Sequence, residues 1–306
     1  MNLKGIGVRL HDMTLHDLMY VRPGQVTLEQ LAAVACALDG AGMPLIEFGA
    51  GIAAGPDSWG VGHAGDELQA CLRAVVPRLR QARVAIQLAP GAAAAEQLQI
   101  ACDWGVSTVC VAVRWLDAAL VAPYLRMGRR LGLDVVGVLM SAHDSDVGTL
   151  VRQARIMEAE GASCVTLADT DGTMFSADVR LRMQALRQAL RAETELGFHG
   201  HARIASAVSN SLAAIEGGAR HIEGSLTVPG IGHTPLDVLC STCHRMGVVT
   251  GVDAYQLGDI GEGLVQPLVH AIACHDGAAR PPAASGSHSA PAIERRRLGP
   301  AKRQFA

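Results

Sequence analysis

His199 and His201 stand two residues apart in "GFHGH" (197 to 201). On an extended strand that spacing puts both imidazoles on one face, and Gly200 between them leaves room for close approach. Two neutral imidazoles and one carboxylate hold a divalent ion with positions left open, a donor set that suits Mn2+, Fe2+, Co2+ or Zn2+. The matching carboxylate is Asp17 in "HDMTLHDLMY" (11 to 20), read as standing with His16 at the end of the first strand. Taken alone, a His-x-His pair reads more readily as two hydrogen-bonded strand residues; Asp17 at a second strand end favours the metal. Further chemistry-bearing residues fall where apolar runs stop: His11, Asp12, Glu47, Arg114, His143, Asp144, Asp169, Thr170 and Asp171. Thr170 and Asp171, in "DTDG", are candidate substrate-binding residues, and the same four residues also read as an Asx turn.

These positions need elements to hold them. Apolar runs at 5–13, 44–49, 83–90, 108–114, 134–142, 163–170, 193–200 and 221–228 alternate with helix-period segments. Thr27 is the expected N-cap of one such helix, and "DVGTLVRQARIMEAEGA" is closed by a glycine. Eight strands alternating with helices over about 245 residues predict an α/β fold, a (β/α)8 TIM barrel spanning 1–246, whose site lies at the C-terminal strand ends. An open doubly wound sheet would want a Gly-x-Gly-x-x-Gly turn after its first strand, and "HDMTLHD" contains no glycine. Residues 247–276 read as a short helical appendage. Residues 277–306, rich in Pro, Ala, Ser and Gly with a basic cluster at Arg295, Arg296 and Arg297, read as a disordered tail.

The 306 residues are 49 % hydrophobic, enough to fill a large core, and the net charge of -3 offers no basic field for nucleic acid. Neither a signal peptide nor an apolar run of about 18 residues is evident, so neither export nor a membrane is expected. The eight cysteines are scattered through apolar segments, as suits reduced thiols in a cytoplasm. "CSTCH" (240 to 244) matches the haem c attachment pattern but lies in an amphipathic helix and is read as helix core. "GSLTVPGIGHTPLD" leads into a helix whose first turn is expected to include Thr234 and Pro235; it could hold an anion, although turn geometry alone explains it.

The stretches "HDMTL" with "DLM", "LDGAGMPLIEFG", "WGVSTVCVAVR", "VGVLMSAH", "GFHGH", "SNSLAAIEGGA" and "HTPLD" resemble the 4-hydroxy-2-oxovalerate aldolases. These are pyruvate-specific metal aldolases of the DRE-TIM metallolyase group, which includes HMG-CoA lyase and isopropylmalate synthase. The resemblance covers roughly residues 5 to 255. It implies a divalent metal, Mn2+ first, on Asp17, His199 and His201, acting as Lewis acid on a 2-oxo acid. Two protic positions depart from the family pattern: "LHDL" puts His16 where an arginine supports the developing enolate oxygen, and Tyr20 stands where a histidine acts as base. His233 replaces an asparagine.

A guanidinium is always charged and offers five donors, whereas a phenol with a pKa near 10 is a poor base at neutral pH. The expectation is therefore a diverged lyase with His16, Tyr20, His143 and His233 as candidate catalytic groups and a small 2-oxo acid or aldehyde as substrate. The shortened C-terminal region puts an acylating aldehyde dehydrogenase partner in doubt, while a homo-oligomer is compatible with exposed barrel helices. The alternative expectation is a catalytically silent barrel serving as an assembly or regulatory subunit.

Overall fold

The computed structural model describes residues 3–21, 25–52, 64–88, 94–228 and 231–275. In chain order the elements are β1 (Arg9–Asp12), α1 (Thr14–Val21), α2 (Leu28–Gly40), β2 (Leu45–Ile52), α3 (Ala64–Val75), β3 (Arg83–Leu88), α4 (Ala94–Asp103) and β4 (Thr108–Arg114). There follow α5 (Ala118–Arg130), β5 (Asp134–Met140), α6 (Val147–Ala159), β6 (Cys164–Asp169), α7 (Ser176–Ala189), β7 (Glu195–Gly200), α8 (Ala207–Glu216), β8 (His221–Gly224) and α9 (Leu236–Met246). Helix α10 (Ala254–Ile260), a π-helical turn (Gly261–Val265) and α11 (Gln266–His275) complete the described chain.

The eight strands form one closed parallel barrel in sequence order, with β8 returning to β1 from Arg9 opposite His221 to Asp12 opposite Gly224. Closure leaves the sheet no edge, and the ring of helices buries the outer layer, so the strands are apolar on both faces as the continuous runs predict. Phe48, Phe198, Ile46, Ile86 and Leu10 are among the fully buried side chains. A smaller apolar cluster of Cys110, Val136, Val138, Cys164 and Ala168 packs beside the buried polar residues His11, Glu47, Thr166, His221 and Glu223.

The first strand corrects the sequence reading. It ends at Asp12, and His16 and Asp17 lie in α1 instead of at the strand's end. The cause is local: the Asp12 carboxylate accepts from both the backbone N–H and the hydroxyl of Thr14, each at 2.9 Å, and this turn diverts the backbone from the ladder. The eighth strand is likewise shorter than expected, because beyond Gly224 the Leu226 amide donates to Thr14 Oγ1 at 2.8 Å and the Ser225 amide to the Thr234 carbonyl. Helix α9 starts at Leu236, so Pro235 is its N-cap and not part of its first turn.

Thr27 caps α2 with the reciprocal Thr27/Gln30 arrangement, and α6 ends before Gly161, which adopts a left-handed conformation. Cys240 and Cys243 of the "CSTCH" stretch are buried in α9, and burial pushes the Cys243 thiol up to about 12, so it is neutral. Among the described residues no helix is long and apolar enough to cross a membrane. The stretch read as a basic tail, 277–306, lies outside the described residues.

At the barrel end remote from the catalytic face, Asp39 closes α2 and is 4 % exposed. Its carboxylate accepts the amides of Arg80, Gln81 and Ala82 at 2.9, 3.0 and 2.6 Å, tying the helix to the turn that enters β3. Burial opposes ionisation, but the three amides outweigh it and hold the carboxyl below its ordinary value. Asp39→Ala should therefore lower stability by about 2 kcal/mol, as expected for bonds to a charged acceptor. Because the folded-state value is depressed, this difference should be complete above about pH 4 and shrink as pH falls through the depressed value. Urea denaturation of both proteins at pH 7 and pH 3 measures it.

Candidate metal centre

Strand β7 delivers His199 at its penultimate position, and His201 follows just past its end. His199 Nδ1 lies 2.9 Å from Glu223 Oε2, and Glu223 is buried and ionised: burial opposes its charge, but contacts with His199 and His221 hold its pKa well below the usual carboxylate range. A carboxylate only accepts, so His199 carries its proton on Nδ1 and leaves Nε2 bare. The same logic applies to His201, whose Nδ1 donates to the Ile231 carbonyl at 3.2 Å. The two bare Nε2 atoms then face each other at 3.1 Å. Protonating His201 does not relieve that repulsion, because burial first, then His233 and His199, push its pKa down to about 2.

Helix α1 brings the carboxylate. Asp17 is fully buried; its Oδ2 lies 3.0 Å from His233 Nδ1, while its Oδ1 has no hydrogen-bond partner among the described residues. A buried charged oxygen without a donor is costly unless a cation or water meets it. Two convergent lone pairs fit a divalent cation, and Asp17 is linked to them through His233. One ring nitrogen each from His199, His201 and His233 lie within 4.8 Å of one another.

The sequence reading set His16 at the end of the first strand, whereas it lies in α1. On α1, His16 turns to β2, where its Nδ1 lies 3.0 Å from Glu47 Oε1. Burial disfavours the imidazolium, but Glu47 outweighs burial and raises the His16 pKa. Glu47 in turn lies 3.3 Å from His11 and is held ionised against its own burial by the two histidines. His16 thus leans toward carrying positive charge where the aldolase pattern has an arginine. Tyr20, four residues on, stacks parallel to the His16 ring with centroids 6.3 Å apart and is 40 % exposed.

His143, Thr170 and Asp171 form a separate group above β5 and β6. His143 Nε2 lies 3.2 Å from the half-exposed Asp171 and 3.4 Å from Asp144. Thr170 Oγ1 accepts the amide of Ser141, a residue held at the left-handed φ of 54°. Asp169 accepts the amides of Thr173 and Met174, four and five residues on, so its carboxylate closes the loop after β6 in a wider turn than the Asx turn weighed for "DTDG". Gly172 at φ +62° is where this loop meets the metal loop: a Cβ there would stand 2.7 Å from the His201 carbonyl oxygen.

Glu223, Thr166 and His221 were missed as site residues. The signal was available: His221 and Glu223 alternate along "HIEG" and therefore share a face of their strand. What could not be read was that Thr166, 57 positions away, donates to Glu223 at 2.9 Å.

Residues 7–264 match the family model described as HMGL-like. The 4-hydroxy-2-oxovalerate aldolase of Stutzerimonas stutzeri is 44 % identical over 271 residues, covering 88 % of this chain and 78 % of that protein. The 4-hydroxy-2-oxovalerate aldolase 2 of Comamonas testosteroni is 43 % identical over 271 residues, with 88 % and 77 % covered. Among solved structures, the HMG-CoA lyase of Bacillus subtilis superposes with a TM-score of 0.74 at 17 % identity, over 87 % of this chain and 95 % of that one. The hydroxymethylglutaryl-CoA lyase of Pseudomonas aeruginosa gives 0.71 at 19 % identity, over 90 % and 100 %. Such low identities speak for the barrel alone, whereas the sequence matches span most of both chains. With its closed barrel and its paired imidazoles at the end of β7, the chain belongs to the HMGL-like family and, within it, is a diverged member of the 4-hydroxy-2-oxovalerate aldolase family.

Proposed function

We propose that Asp17, His199 and His201 hold a divalent ion with which this chain breaks or forms a carbon–carbon bond beside the 2-oxo group of a small acid, 4-hydroxy-2-oxo acids being the substrate class. The observation that carries the reading is the pair of unprotonated Nε2 atoms 3.1 Å apart, with a nitrogen of His233, the ring that meets Asp17, within 4.8 Å of theirs. When bound, the ion would supply Lewis acidity at the ketone. The resemblance favours Mn2+.

Cleavage of a 4-hydroxy-2-oxo acid removes the proton of the 4-hydroxyl and returns one to carbon 3, leaving an aldehyde and pyruvate. His16, pressed against Glu47, offers a charge-assisted N–H donor to the oxygen that gains charge. Tyr20 stacks on it at the half-exposed mouth, and its hydroxyl, able to accept and donate, relays the 4-hydroxyl proton toward solvent. His143 with Asp171, and the hydroxyl proton of Thr170, bind the far end of the substrate. His233, expected among the acid-base groups, has its Nδ1 3.0 Å from Asp17 Oδ2.

The chain is a carbon–carbon lyase of its family, and the relatives give no support to the alternative of a silent assembly subunit. We place it in the cytoplasm, where buried neutral thiols such as Cys164 and Cys243 stay reduced. A dehydrogenase partner is not required by this reading.

Metal-stripped protein should release no pyruvate from 4-hydroxy-2-oxovalerate and its longer homologues, and added Mn2+ should restore turnover. Undiminished release without metal would refute the metal reading, and no release from any member of the panel with metal would refute the substrate class. His16→Ala should lower kcat by about 10² to 10³, the usual cost of one oxyanion donor, with KM little changed. Glu223→Gln should weaken metal binding by about 10- to 100-fold, because the support that keeps the His199 proton on Nδ1 is lost; a competition titration with a chromophoric chelator reads it.

A further inference from the structure

The rim above β5 and β6 limits what the far end of a substrate can be. The register sets Asp169, the last residue of β6, beside Gly200, which stands between the two paired histidines, so the loop after β6 starts level with the centre. That loop is seated against the residues after β7: the Ile204 amide donates to the Gly172 carbonyl at 3.3 Å, and a Cβ on Gly172 would stand 2.7 Å from the His201 carbonyl oxygen. Thr170 and Asp171, immediately before Gly172, therefore border the centre. The Ser141 amide donates to Thr170 Oγ1 at 2.9 Å and ties this loop to the one after β5, which carries His143 and Asp144.

These side chains divide into a donor and two acceptors. Thr170 Oγ1 already accepts from Ser141, so its hydroxyl proton is left to donate elsewhere. His143 Nε2 lies 3.2 Å from Asp171 Oδ2 and 3.4 Å from Asp144 Oδ1, and carboxylates only accept, so one N–H is shared between two anions. The Asp171 and Asp144 side chains are 52 % and 55 % exposed, and water completes their hydrogen bonding until a substrate displaces it. Asp169 takes no part, because its carboxylate is occupied by the amides of Thr173 and Met174. Arg114, the exposed last residue of β4, pairs with Met140 of β5, and the amide of the exposed Arg203 meets Gly172, so the rim has no single sign of charge.

Resting on the lyase reading above, we propose that Asp171 is a specificity-determining residue and that the substrate carries a further hydroxyl next to its 4-hydroxyl, as a 4,5-dihydroxy-2-oxo acid does. A hydroxyl both accepts and donates, so a single group accepts from Thr170 and donates to Asp171. An alkyl end strips water from both and returns nothing, a carboxylate end faces two anions, and an ammonium end gives Thr170 no acceptor. In cleavage the bond between carbons 3 and 4 breaks, the 4-hydroxyl loses its proton and carbon 3 gains one. The products are then pyruvate and a hydroxyaldehyde.

The experiment compares kcat/KM for pyruvate release from 4,5-dihydroxy-2-oxopentanoate and 4-hydroxy-2-oxohexanoate, which set a hydroxyl against a methyl at one position. Wild type, Asp171→Ala and Asp171→Asn are measured with Mn2+. Wild type should favour the dihydroxy acid by about 10- to 100-fold, the usual worth of one hydrogen bond to a charged group. Asp171→Ala should bring that ratio close to one, and Asp171→Asn, whose amide oxygen still accepts, should leave it in between. A damaged fold lowers both rates and does not move their ratio; if Asp171→Ala is inactive, the ratio in Asp171→Asn decides. A wild-type ratio of one or less, or a ratio unchanged by substitution of Asp171, would overturn this inference, and pyruvate release from either acid would leave the lyase reading standing. No release from either acid by wild type would overturn both.

Discussion

Glu223 carries a negative charge inside a closed barrel, where an unpaired carboxylate would be prohibitively costly. It is tolerated because its two oxygens are shared among His199, Thr166 and His221. The consequence reaches the surface of the chemistry: the bond to His199 decides which ring nitrogen is protonated and hence which one faces outward. Close packing around this network is tight as well, since a Cβ on Gly197 would stand 2.2 Å from Thr166 Oγ1.

A second buried carboxylate, Glu47, performs the matching task on the other side. It is flanked by His16 and His11, and His11 stands 3.2 Å from His221. The interior therefore holds two ionised carboxylates with histidines between and beyond them, running from His16 through Glu47, His11, His221 and Glu223 to His199. Replacing the aldolases' arginine by His16 does not simply delete a charge in this setting, because Glu47 favours the imidazolium.

The loops that complete the centre are held by backbone bonds rather than by side-chain packing alone. The loop after β8 is stitched to β7, and the loop after β6 is fitted beneath His201 at Gly172, where a side chain would collide. Strand ends that would fray in isolation are thereby made into a rigid rim, the condition for holding ligands at fixed separations.

The barrel itself was legible in the sequence. Eight buried parallel strands leave eight apolar runs at regular spacing, and a local motif such as His199-x-His201 carries its geometry within three residues. The capping box at Thr27 is equally local. The fate of "HDMTLHDLMY" was not legible: an apolar run followed by polar residues is compatible with a strand end, and only the Asp12–Thr14 turn, reinforced by Leu226 from far along the chain, shows that a helix begins there. Likewise nothing near His233 in the chain announces that it meets Asp17, 216 positions away. Residue types and local periodicity determined the fold and two of the imidazoles; the tertiary structure alone decided the protonated nitrogen of each ring, the carboxylate that faces His16 and the third imidazole at the centre, because each of these depends on a partner that local sequence does not announce.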